Sequence, residues 1–278
     1  MIAIIGPDED MWEKVFGISS AVFFIAASLW AWEEITPEWR FYQKKFRDFA
    51  MELATTQEER DEIKSEGFKV KQIVVDKLNQ VDRCITCHLG AEEPKYASLP
   101  LPFKFCPYTE THPPKRFGCS ICHGGEGSGI HKKTAHGEES RTHSPRLRGE
   151  YIQASCGRCH LEEYLCEAPL LLVGKRLYEH YGCGDCHKLY QRGRRAGPDL
   201  DKVASKRPDE IEWGKDEGEK SFVRWMFLHF KNPKEFQKDS KMTDYRMSQE
   251  NARALTIYML TLTDRKYPSE YYRGRKEE

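Results

Sequence analysis

The sequence predicts a mainly α protein with one N-terminal transmembrane helix, a loop-rich middle segment and a small helical domain at the C-terminus. Three observations predict it. An uncharged apolar run lies near the N-terminus, the pattern Cys-x-x-Cys-His occurs four times, and regular helical spacing of apolar residues returns only after residue 170.

The apolar run is Val15 to Trp32, 18 residues without a charge. That length suffices to cross the hydrocarbon core of a bilayer as a helix. Trp12, Trp30, Trp32 and Trp39 sit near its ends, where amphipathic rings favour the membrane–water interface. A cleaved signal peptide is the rival reading. The start is acidic (Asp8, Glu9, Asp10, Glu13) and no small-x-small site closes the run, whereas a signal peptide has a basic start and such a site. Residues 1–36 are therefore expected to be a retained anchor, with the span at about 15–32. Residues 37–79 are rich in charge, with Phe41, Phe46, Phe49 and Leu53 recurring at helical spacing until Gly67 interrupts. They are expected to form a juxtamembrane helical segment.

The four repeated motifs are Cys84/Cys87/His88, Cys119/Cys122/His123, Cys156/Cys159/His160 and Cys183/Cys186/His187. Each is the signature of c-type haem attachment. Two thiols at this spacing reach two vinyl groups of one porphyrin, and the imidazole that follows becomes an axial ligand of the iron. A zinc ribbon pairs Cys-x-x-Cys units without needing a His after each. A redox dithiol occurs singly within a βαβ pattern. Four covalent haems are therefore expected.

Three sites fall within residues 80–168, a stretch of frequent Gly and Pro with little periodicity. It reads as a triple-haem segment, backbone wrapped around cofactors. The fourth falls in residues 169–264, where three helices are expected: LLLVGKRLYEHYG leading into the haem site, SFVRWMFLHF, and QENARALTIYMLTL after the N-cap Ser248. Leu255, Met259 and Leu262 mark the buried face of the last. Residues 265–278 read as a loose polar tail. With 44 basic and 44 acidic residues the formal charge is zero, which argues against nucleic acid as a partner. The chain is polar enough that porphyrins are expected to supply much of the middle segment's apolar mass.

The last domain resembles a class I cytochrome c, a small helical bundle around one haem. The residues that carry the resemblance are CGDCH, Gly197-Pro198-Asp199-Leu200, and KMTDYRMS before the final helix. It implies that Pro198 helps orient the proximal His187 and that Met242 is the distal ligand. Most members have Pro after that Met, where this chain has Thr243. Met226, Met247 and His229 are the alternatives. The middle segment resembles membrane-bound multihaem cytochromes that accompany cytochrome b-type quinol-oxidising complexes in bacteria, through VDRCITCH, THPPKRFGCSICHGGEG, KTAHG and YIQASCGRCH. That resemblance implies proximal ligands His88, His123 and His160 and distal ligands His112, His136 and His143, with His131 and His180 as spares. Relatives carry His where this chain has Cys106 in FKFCP. Cys106 is thus a candidate thiolate ligand, a disulfide partner of Cys166, or a plain buried thiol.

Haem attachment in c-type cytochromes takes place outside the cytoplasmic membrane, which implies haem domains on the periplasmic side. The basic residues after the apolar run (Arg40, Lys44, Lys45, Arg47) point the other way, but four haem sites outweigh a bias diluted by Glu33, Glu34 and Glu38. No phosphate loop, nucleophile elbow or open metal site is visible, so catalytic residues are not expected and the chain is not expected to be an enzyme on its own. The resemblance implies an electron-transfer subunit with four haem c. Its expected partners are a cytochrome b-type membrane subunit, an iron-sulfur subunit, membrane lipid, and a soluble periplasmic cytochrome or other electron acceptor. The rival functions are a catalytic cytochrome reducing a small nitrogen or sulfur compound at an open haem, and a tetrahaem quinol dehydrogenase.

Overall fold

The structure is a computed structural model that describes residues 9–138, 146–160, 165–213, 218, 220–236 and 238–273. The chain divides into two compact units, Met1–Lys69 and Val70–Glu278.

The first unit is helical. Helix α1 runs Glu9–Ile35, and its stretch Met11–Trp32 is 22 residues with none of its surface buried. By length and composition it can cross a membrane. Apolar side chains face outward all round it, including Phe16, Phe23, Leu29 and Trp30. A helix that is apolar on every side has no reason to stay in water. Pro37 ends it by withholding a backbone N–H. Helix α2, Glu38–Leu53, buries Trp39, Gln43 and Ala50. The buried stripe therefore runs through 39, 43 and 50. Phe41 is 63% exposed, while Phe46 and Phe49 are partly buried. Helix α3, Gln57–Ser65, opens with a capping box between Thr56 and Glu59. Gln43 then ties the chain back, its amide bridging both the N–H and the carbonyl of Lys69.

The second unit begins with a feature the spacing did not predict. Residues 70–79 were expected to be helical up to about Asn79. Instead Ile73–Val75 (β1) pairs antiparallel with Gln80–Asp82 (β2). The β-branched run Ile73-Val74-Val75 favours a strand, and Asn79 turns the chain in the left-handed region at φ 47°. From Cys84 to Cys156 the helices are single turns joined by loops. Few apolar side chains are buried there: Tyr96, Leu99, Phe103, Ile121, Leu147 and Ala154 are the main ones.

The C-terminal helices are longer: α4 (Pro169–His180), α5 (Phe222–Lys231) and α6 (Gln249–Met259). Ser221 and Ser248 cap α5 and α6 with side-chain oxygens that accept from Arg224 and Asn251 N–H. Helices α4 and α6 pack so closely that a Cβ on Gly174 would collide with the Ala254 carbonyl. Leu255, Met259 and Leu262 are all buried, as their spacing requires.

Residues 265–273 correct the expectation of a loose tail. Tyr267 and Tyr271 are buried with Ile121. The Tyr271 hydroxyl donates to the Arg116 carbonyl at 2.6 Å, and the Arg273 N–H donates to the Cys159 carbonyl at 2.9 Å. Lys77 and Glu270 form an ion pair at 2.5 Å. The charged neighbours of these tyrosines hid their apolar role; the rings strap the C-terminal segment across the middle one.

Candidate haem-binding sites

All four Cys-x-x-Cys-His motifs fold into one and the same turn. The second Cys N–H donates to the first Cys carbonyl at 3.1, 3.2, 3.2 and 3.2 Å in chain order. The His N–H donates to that same carbonyl at 2.9, 3.0, 2.8 and 2.9 Å. One helical turn thus sets two thiols at i and i+3 and an imidazole at i+4 on a shared face. That is the arrangement two thioether bonds and one axial ligand need.

The surroundings of the thiols bear on their chemistry. Burial pushes Cys122 up to about 12, Cys159 to about 11 and Cys183 to about 11. Cys119 is raised too, chiefly by a hydrogen bond to Cys84 and then by burial. Thiols held protonated are poor thiolate ligands and poor redox nucleophiles. Among the described residues no three His, Cys, Asp or Glu side chains converge as a zinc site would require. Cys106 and Cys166 form no disulfide with each other, and Cys166 is exposed.

Cys186 departs from the other motif cysteines in its exposure. Seven of the eight are partly buried, whereas Cys186 is exposed. The physical reason is local. Gly182, in the left-handed region at φ 62°, turns the chain off the end of α4, and the next turn presents Asp185 and Cys186 to solvent. The backbone of Cys186 keeps the common geometry, its N–H donating to the Cys183 carbonyl at 3.2 Å. The spacing for attachment is thus kept at the fourth site, but the protein wall that encloses the other thiols is missing on the Cys186 side.

The surroundings of four middle-segment histidines shift their titration. Burial lowers the pKa of His88, His123 and His112, and lowers His136 to about 4. Each is held neutral, the form that binds a metal. A ligating imidazole also needs an acceptor for its other N–H. His187 Nδ1 lies 2.8 Å from the Pro198 carbonyl, the role expected of that proline. His88 donates to the Pro102 carbonyl, a partner with no signal in the sequence. Gly197 passes so close to the His187 ring that an added Cβ would stand 2.6 Å from Cε1, so only glycine allows this seating.

The expected distal residues fall out unevenly. His136 faces His88 with ring centres 6.4 Å apart, and His112 faces His160 at 6.0 Å. His143 lies outside the described residues. His131 and His180 are exposed. At the fourth site Met242 and His229 come together, with Nε2 of His229 3.2 Å from the Met242 sulfur. His229 is also close enough to His187 for their charges to interact, and burial lowers its pKa to about 4. Met226 and Met247 are instead buried among the apolar residues of the C-terminal core.

Two residues escaped the sequence reading. Asp82 is fully buried and gathers donors around the second motif: the N–H groups of Cys119 and Ser120, the Ser120 hydroxyl and the Gln80 amide. Arg146 places Nη1 3.0 Å from His136 Nδ1, and its charge helps lower His88 and His123. Asp82 stands two residues before a haem cysteine, but nothing local tells that it serves a motif nearly forty residues on.

The residues fit covalent haem: four repeated turns, each with two thiols and an imidazole on one face, and carbonyl acceptors for the rings of His88 and His187. No curated protein and no solved structure was found to match the chain. The family model described as Cytochrome c matches residues 172–263. That segment is a cytochrome c domain, and with it come a covalently bound haem and a role in electron transfer.

Proposed function

We propose that the chain is a membrane-held electron carrier with four covalent haems, the cytochrome c subunit of a quinol-oxidising respiratory complex. The observation that carries the number four is the common turn at Cys84, Cys119, Cys156 and Cys183, identical in its hydrogen bonds whether or not it lies in the matched domain. Covalent haem supplies an iron centre that takes up and releases single electrons. The protein's part is to hold each iron, set its ligands and exclude water. His88, His123, His160 and His187 are the proximal ligands. His112, His136 and His143 are the distal ligands of the middle segment.

Met242 is the distal ligand of the fourth site. His229 reaches the same place, but its buried Nδ1 has no hydrogen-bond partner. A metal-bound imidazole would leave a buried N–H orphaned there, at a cost of about 1–3 kcal/mol. As a donor from Nε2 to the Met242 sulfur, His229 leaves only a lone pair unmatched. Thioether ligation raises an iron's potential relative to a second imidazole. The C-terminal site is thus the high-potential end and the His-rich middle the low-potential end.

The anchor α1 supports attachment to the inner membrane as a single pass, with the haem sites on the periplasmic side. Among the described residues one helix can span a membrane, and quinol oxidation would be carried by a cytochrome b-type subunit, with an iron-sulfur subunit and a soluble periplasmic cytochrome or other acceptor completing the path. The chain acts as an electron-transfer subunit and not as an enzyme by itself.

Intact mass after acid extraction tests the count: four covalent haems are expected, and two or three would overturn it. A redox titration tests the ordering. Met242→His should keep the fourth haem low-spin and pull its potential toward the others. An unchanged high-potential step would remove Met242 from the site. Co-purification from detergent-solubilised membranes tests the partners, and recovery of the chain alone would count against the complex.

A further inference from the structure

The two histidine pairs of the middle segment carry a pairing that sequence order does not suggest. Assignment by proximity in sequence would join His88 to His112 and His160 to His143. The structure joins them otherwise: His88 faces His136, and His112 faces His160. Two imidazoles on one metal, each held by a bond of about 2 Å, put their ring centres about 6 Å apart. The separations of 6.4 and 6.0 Å meet that condition. In each pair one ring follows a Cys-x-x-Cys turn and the other comes from a loop.

We propose that His136 and His88 share one haem iron and that His112 and His160 share another, so that the two ligand bridges interlace. This rests on the four-haem reading above. Each bridge spans the second attachment motif, Cys119–His123, and the loops they close overlap. The middle segment is then cross-linked twice by its own irons. This accounts for how a stretch of single-turn helices holds a fixed shape with so few buried apolar side chains.

The neighbour of His112 agrees with ligation through Nε2. His112 Nδ1 lies 3.0 Å from the Thr111 hydroxyl oxygen, which can accept its proton. His136 Nδ1 faces Arg146 instead, and an arginine can only donate. Ligation of His136 therefore requires Arg146 to leave that contact, and a haem propionate is the anion chemistry such a guanidinium would seek.

The pairing is tested in the full-length, haem-loaded chain with a spectral label on one haem at a time. Replacing one attachment cysteine, Cys84→Ala, leaves the first haem bound by Cys87 alone. Its unsaturated vinyl group then shifts that haem's visible band. His136→Gly should open one coordination position, seen as carbon monoxide binding to a single haem, and added imidazole should restore the low-spin state. In Cys84→Ala/His136→Gly the carbon monoxide difference spectrum should carry the shifted band. In Cys156→Ala/His136→Gly it should not. For His112→Gly the outcome should reverse, with the shifted band appearing only beside Cys156→Ala. A shifted band with the opposite partner, or no opened haem in either glycine variant, would overturn the pairing. Intact mass of the same samples reports the haem count separately. A chain with four haems and the wrong partner sinks the pairing alone, and a chain with fewer haems sinks the reading beneath it.

Discussion

The middle segment and the C-terminal domain of the second unit keep their shape by different means. From Pro169 onward, three helices bury a contiguous set of apolar side chains, among them Leu171, Phe222, Met226, Leu255 and Met259. From Cys84 to Cys156 the chain forms single turns, and the second of its attachment motifs is held by a fully buried carboxylate, Asp82, ringed by donors. Burial of apolar surface is the main force that orders a chain against its conformational entropy. Where that surface is scarce, order must come from hydrogen bonding and from bound groups. On the proposed reading the porphyrins and their axial bonds supply it. A polar framework of this kind is sensitive to single donors and acceptors, whereas an apolar core is sensitive to volume.

That contrast can be broken in four places. The largest effect is expected in the middle segment. Asp82→Ala strands the N–H groups of Cys119 and Ser120 and the Ser120 hydroxyl, which should cost about 3–5 kcal/mol. Denaturant unfolding followed through the haem absorbance measures it. A loss below about 1 kcal/mol would mean that this network is dispensable.

Next is the strap between the two regions. Tyr271 is 4% exposed, packs on Phe117 with ring centres 4.9 Å apart, and donates to the Arg116 carbonyl. Tyr271→Ala should cost about 3 kcal/mol and expose residues 265–273 to limited proteolysis. Intact resistance to protease would return these residues to the status of a tail.

In the C-terminal domain the sensitive quantity is space. Gly174→Ala drives a methyl group into the Ala254 carbonyl, forcing α4 and α6 apart at a cost of about 1–3 kcal/mol. Thermal unfolding should register a lower midpoint, and an unchanged one would show that the crossing can relax. The smallest change is Ser248→Ala. It removes the cap on Asn251 N–H and should cost about 1 kcal/mol, with Ser248→Asp restoring the midpoint.

Much of the site was legible in the sequence because the attachment motif is local. Its two thiols and imidazole lie within five residues, and the turn that aligns them needs no distant contact. The cap at Ser248 and the buried face of α6 were legible for the same reason. Where reading failed, the deciding interactions were distant. The motif spacing is the same at all four sites, so it could not tell that Cys186 faces solvent while the other seven thiols are partly covered; shelter comes from whatever chain returns over the turn. The spacing of Phe41, Phe46 and Phe49 shows a helix but not which face is covered; that is set by Trp39, Gln43 and Ala50. The strand pair at Ile73–Asp82 was hidden because two three-residue strands give no period to detect. The tyrosines of residues 267–272 were hidden by the charges around them.

By itself the sequence determined the four Cys-x-x-Cys-His spacings, that one helix is long and apolar enough to cross a membrane among the described residues, and that the last domain is helical. These follow from covalent spacing, from the length of an uncharged run and from helical periodicity, all properties of short stretches. Only the tertiary structure decided which histidine faces which, that Met242 and His229 meet while Met226 and Met247 lie in the core, and that Asp82 serves a motif outside its own turn. Those facts depend on where loops return in space. The chain's folding sets that through contacts between residues far apart in sequence, and no local pattern encodes it.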